Sequence, residues 1–89
     1  MDSGSIKRLR IIGKVIHFYR HPGVAIVRCV ECITQGSRIR FLGSHTDFSE
    51  SVVSMECDHQ PITETKSGQE VGIKVENRVR EGDWVLAGD

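Results

Sequence analysis

Cys29-Val30-Glu31-Cys32 and Cys57-Asp58-His59 offer three thiols and an imidazole, a donor set suited to zinc. Cys-x-x-Cys is half of many structural zinc sites, where thiolates and imidazoles complete a tetrahedron. The Cys-x-His half is tighter than the common spacing. Residues three apart on a strand face opposite ways, so Cys32 joins Cys29 at one metal only where the strand has already ended. The plainer reading puts Cys29 and Cys57 on the core faces of their strands as small hydrophobes. No metal or cofactor is therefore expected. A redox role for Cys29 and Cys32 would want a helix N-terminus to depress the thiol pKa, and the sequence predicts no helix there.

A second group pairs cations with aromatic rings. Arg20 and His21 follow Phe18 and Tyr19 at a turn, and Arg38 and Arg40 share one face of a strand whose other face carries Ile39 and Phe41. Cations reach phosphates and rings stack on unpaired bases, so this combination suits nucleic acid. The expected contact set is Lys14, Tyr19, Arg20, His21, Arg38 and Arg40. Tyr19 and Trp84 are equally readable as core or barrel-end plugs. Glu50 with Glu56, or Asp47 with Asp58, could form an acid/base pair, but in so acidic a stretch chance neighbours are the simpler account. His17, His21, His45 and His59 are dispersed, with no His-Glu-x-x-His and no Gly-x-Ser-x-Gly pattern. No enzymatic activity is expected of the chain itself.

Composition narrows the class further. The chain has 89 residues, 38% hydrophobic and 27% charged, with no net charge. That is one domain, too apolar for disorder and too small for a deep cleft. Residues 1–40 hold eight Lys or Arg against two acids, and the remainder four against ten. Such asymmetry gives a barrel one basic and one acidic face, unless strand pairing brings the two halves together as cross-strand ion pairs. The longest apolar run falls far short of the roughly 18 residues that cross a bilayer. The basic start has no apolar stretch behind it and does not read as a signal peptide, so the cytoplasm is the expected location and reduced thiols follow.

The elements that must position these residues are strands. Gly36-Ser-Arg-Ile-Arg-Phe, Gly68-Gln-Glu-Val-Gly-Ile and Gly82-Asp-Trp-Val-Leu-Ala each begin with a turn glycine and enter a run of β-formers. Leu9 to Phe18 reads as a strand interrupted at Gly13, and Arg20-His21-Pro22-Gly23 as a type II turn. Val24 to Val30 returns, with Ala25, Val27 and Cys29 on one face. Arg38 to Leu42 is the third strand. Phe48 to Cys57 is the fourth, with Val53, Met55 and Cys57 inward. Val71, Ile73 and Val75 mark the fifth, and Trp84 to Ala87 the last. The expected fold is all-β: a six-stranded closed or nearly closed antiparallel barrel over residues 6–89, behind a flexible tail over 1–5.

Lys66-Ser-Gly-Gln-Glu-Val-Gly-Ile-Lys-Val and Arg80-Glu-Gly-Asp-Trp-Val-Leu-Ala together resemble the second domain of the translation GTPases, the barrel of elongation factor Tu and its relatives. Gly68, Val71, Gly72 and Ile73 match that family's Gly-polar-x-Val-Gly-apolar pattern, and Gly82, Val85 and Leu86 approximate its Arg-Gly-x-Val-Leu. Gly36-Ser-Arg-Ile-Arg and Val52-Val-Ser-Met-Glu resemble its neighbouring strands. Phe48-Ser-Glu-Ser-Val and Gly82-Asp-Trp-Val are similar instead to the C-terminal barrel of collagenase-type peptidases. No phosphate-binding Gly-x-x-x-x-Gly-Lys-Ser/Thr loop is present, so the likeness covers the barrel alone. From Met1 to its last strand, the chain reads as such a barrel encoded by itself. The resemblance implies a non-catalytic module, RNA- or ribosome-associated through the basic half. The alternative it implies is a protein-interaction barrel docking on a peptidase or modification enzyme.

Overall fold

Gly36, Gly68 and Gly82 take φ values of 91°, 87° and 93°, and each turns the chain into a strand, as the repeated glycine pattern predicts. The computed structural model describes residues 9–88. Within them the order is β1 (Ile11–Tyr19), β2 (Val24–Cys29), β3 (Arg38–Leu42), β4 (Asp47–Ser51), β5 (Met55–Cys57), β6 (Gln60–Ile62), β7 (Glu70–Lys74) and β8 (Trp84–Ala87). No helix occurs among the described residues. The tail expected over residues 1–5 lies outside them.

All eight strands join one antiparallel sheet in the order β4-β3-β8-β1-β2-β7-β5-β6, curled into an open half-barrel. This corrects the expected six-stranded closed barrel in two places. The Phe48–Cys57 stretch is not one strand, because the chain leaves β3 at Ser51 and rejoins the sheet beside β7 at Met55. At the crossing, Val52 N–H donates to the Ser37 carbonyl and its own carbonyl accepts from Gly36 N–H, both at 2.8 Å. These bonds turn the Val52 side chain inward, to 2% exposure, and leave Val53 60% exposed where the alternation had put it in the core. The second addition is β6, an edge strand built around Pro61. Its missing N–H is tolerated there because no further strand asks for it.

Strand phase explains the core. Ala25, Val27 and Cys29 of β2 point inward with Val71 and Ile73 of β7, Ile39 and Phe41 of β3, Val15 of β1 and Val85 of β8. Loop residues Ile33, Val52 and Val79 fill the ends. Fully burying one such side chain contributes about 1.5–3 kcal/mol, so the side chains on this inner face hold the sheet in its curl. Buried polar groups are paired: Thr65 Oγ1 accepts from Ile33 N–H at 2.8 Å, and Asp83 Oδ2 accepts from Arg80 N–H at the same distance. At the β1–β2 hairpin Gly23 takes φ 96° and its N–H donates to the Tyr19 carbonyl at 3.1 Å, one residue further than the bond that would close the expected type II turn; the His21–Pro22 peptide is cis.

Candidate functional site

The outer face of the sheet carries the side chains that the core does not use. Register places Asp47, Leu42, Trp84, Lys14, Arg28 and Glu70 in one row across β4, β3, β8, β1, β2 and β7. At its centre Trp84 is 42% exposed, with Lys14 Nζ 4.9 Å from the ring centroid. An exposed tryptophan under a lysine is worth about 0.5–1 kcal/mol as a cation–π pair. Trp84 is thus a surface residue, not a barrel plug, and so is Tyr19 at 52% exposure.

A second row, His17-Ile26-Gly72-Glu56-Pro61, runs parallel to the first towards the β1–β2 hairpin. Between that hairpin and the β5–β6 turn lies a groove of about 550 Å³. Val24, Ile26 and Gly72 form its floor, Tyr19, His21 and Pro22 one wall, and Asp58 and His59 the other. Gly72 keeps the floor open, since a Cβ there would stand 3.0 Å from Val24 Cγ1 and 3.5 Å from Glu56 Cγ. Asp58 and His59 take φ values of 52° and 64°, the left-handed pair of a two-residue hairpin turn. Non-glycine residues pay for that conformation in backbone strain, and here it sets both side chains on the groove wall.

The Tyr19 wall is braced from behind. The ring meets His17 edge to face at 4.4 Å, and His17 Nδ1 lies 3.0 Å from Glu81 Oε2 in the segment before β8. Glu70, at the groove's end, is bound by Arg28 through Nε at 3.2 Å and Nη2 at 2.7 Å. Glu56 and Asp58 have no ion pair among the described residues.

The six expected contact residues divide between two places. Tyr19 and His21 line the groove, with Arg20 beside them on the hairpin, whereas Lys14, Arg38 and Arg40 belong to the β1 and β3 part of the outer face. Arg40 is clamped by Asp47, Nε to Oδ1 at 2.8 Å and Nη2 to Oδ2 at 3.0 Å, which holds the Asp47 carboxyl below the usual carboxylate range. Arg10 also pairs with Glu31, Nε and Nη2 both donating to Oε1, and lowers its pKa. The halves that looked oppositely charged in sequence are interleaved by antiparallel pairing, as Arg28–Glu70 and Arg40–Asp47 record. No single-sign basic face results from those strands.

The thiols are also dispersed. Cys29 is fully buried in the core, where burial pushes its pKa up. Cys32 is exposed beyond the end of β2. Cys57 packs against the core but is only half-buried, its Sγ 3.7 Å from the Glu70 carbonyl and 3.5 Å from Gln69 Nε2. His59 faces the groove. No three His, Cys, Asp or Glu among the described residues are grouped to hold a metal.

Sequence reasoning missed the groove itself. Its floor residues Val24 and Ile26 were legible as an outward face, but Asp58-His59 carries none of the Asn-Gly or Asp-Gly character that marks a tight hairpin, and Pro61 hid the strand beyond it.

No protein-family model matches the chain. Over 75 residues, 83% of its length, it is 37% identical to an uncharacterized protease of Methanocaldococcus jannaschii, of which it spans 18%. Its fold is similar to the C-terminal domain of a Geobacillus thermoleovorans protein described as a U32 peptidase, with TM-score 0.84, 16% identity, and coverage of 90% of this chain and 93% of that one. The selenomethionine variant of the same domain gives TM-score 0.82, 16% identity and coverage of 86% and 98%. These likenesses favour the peptidase-type barrel over the second domain of elongation factor Tu. They correct the translation-factor, RNA-binding and ribosome-associated expectation.

Proposed function

We propose that this chain is a non-catalytic docking barrel whose partner is a peptidase-type protein, and that it docks through the outer sheet face around Trp84. The observation that carries this reading is the alignment of most of the chain with less than a fifth of a protease, the proportion expected of an accessory domain. The likeness to a C-terminal domain described as part of a U32 peptidase supports the same division of labour. On the surface, a half-exposed tryptophan beside Leu42 and Lys14 has the composition of an interface anchor, since aromatic residues with an apolar body dominate binding energy at protein contacts.

The test is reconstitution with the peptidase-type proteins encoded in the same genome, followed by size exclusion and titration calorimetry. A complex is expected, and Trp84→Ala should weaken it about 30-fold, equivalent to roughly 2 kcal/mol. Failure of every such protein to bind at about 100 μM, near −5.5 kcal/mol, overturns the reading.

A further inference from the structure

We infer that the groove between the β1–β2 hairpin and the β5–β6 turn is a receptor for an arginine side chain on an extended segment of a partner polypeptide. This rests on the docking reading for its biological partner, but its chemistry stands on the groove. Three features converge on a guanidinium with an aliphatic stem. The floor of Val24, Ile26 and Gly72 is apolar, and Gly72 removes the side chain that would fill it. The Tyr19 ring forms a wall already held by His17 and Glu81, so little entropy is lost in presenting its face. Glu56 and Asp58 stand at the edge without ion-pair partners among the described residues, and the groove lining contains neither lysine nor arginine.

Charge complementarity therefore selects a cation. Glu70 is already satisfied by Arg28, which leaves Glu56 and Asp58 as the carboxylates on offer. Lys74 lines the adjoining hollow with Glu56 and Pro22, yet forms no ion pair with that carboxylate. Arginine fits better than lysine, because a planar guanidinium stacks on a ring while its N–H groups reach carboxylates. The His21 and His59 rings complete the rim.

The probe is a blocked pentapeptide, acetyl-Gly-Leu-Arg-Leu-Gly-amide, titrated into the isotopically labelled full chain and followed by NMR, beside the same peptide with citrulline in place of arginine. Expected are shifts at the Tyr19 ring and at the Gly72 and His59 amides, loss of binding by tenfold or more with citrulline, and a similar loss in the Glu56→Gln, Asp58→Asn double variant. Added salt should weaken binding. Equal binding of the two peptides, shifts centred on Trp84 instead, or no shifts at about 5 mM, near −3 kcal/mol, would each overturn the inference. The double variant, checked for an unchanged amide spectrum elsewhere, is also tested against the peptidase-type partner. If the wild-type chain forms that complex yet does not bind the peptide, the groove inference fails alone. If the peptide binds and no peptidase-type protein does, the docking reading fails alone.

Discussion

His17 and Tyr19, two residues apart on β1 and so on the same face, meet edge to face with ring centroids 4.4 Å apart and planes at 61°. The contact links the segment before β8, through Glu81, to the groove wall. His17→Ala, Tyr19→Ala and the double variant should show a coupling of about 0.5 kcal/mol in urea unfolding, the lower end for aromatic pairs because both rings are exposed. Strictly additive losses would mean that the rings touch without cooperating.

Gly43 is expected to resist substitution more than any sequence pattern announces. A Cβ there would land on the Asp83 carboxylate, which is buried and holds Arg80 N–H. Gly43→Ala should destabilise the fold by about 1–3 kcal/mol, the usual cost of overpacking. Adding Asp83→Ala should cost less than the two single losses combined, because the clash disappears with the carboxylate. Thermal or urea unfolding of the three variants decides it.

Acid should act on two carboxylates in opposite senses. Arg40 holds Asp47 below its ordinary value of 3.8, so its contribution is present above that value and is lost as pH falls through the lower folded pKa. Glu50 is raised above 4.5 by burial, so its protonated form favours folding at low pH and that advantage is lost as pH rises through the folded value. Asp47→Asn should therefore lower the urea midpoint at neutral pH and flatten the acid limb. Glu50→Gln should raise the neutral midpoint. Urea midpoints measured from pH 3 to pH 7 distinguish these outcomes.

The thiols should react in the order Cys32, Cys57, Cys29. Cys32 is exposed, Cys57 half-buried and hydrogen-bonded, and Cys29 enclosed with its thiol pKa raised. The thiolate is the reactive form, so burial slows Cys29 twice over. Timed alkylation read by mass spectrometry should label Cys29 only as the protein unfolds. Early labelling of Cys29 would contradict its place in the core.

Alternation in the sequence marks β2, β3 and β7 because each buries one face, which imposes a period of two on residues such as Ala25-Val27-Cys29 and Val71-Ile73, whereas β8 is marked by the Gly82 turn that leads into it. It failed at Val52 and Val53, where two backbone hydrogen bonds to Gly36 and Ser37, not hydropathy, decide which valine turns inward. The cations of the candidate site were visible by type. Their neutralisation was not, since Arg40 meets Asp47 and Arg28 meets Glu70 through strand order that no local pattern encodes. The groove was illegible for the same reason, its two walls coming from hairpins about 40 residues apart, a separation only the fold brings together.

Residues 52–54 run from β4, at one margin of the sheet, to β5, near the other. A fully extended chain advances at most about 3.6 Å per residue, so the four steps from Ser51 to Met55 form a leash of roughly 14 Å. The half-barrel can therefore breathe but not unroll: its two margins stay tethered even when no strand-to-strand hydrogen bond joins them.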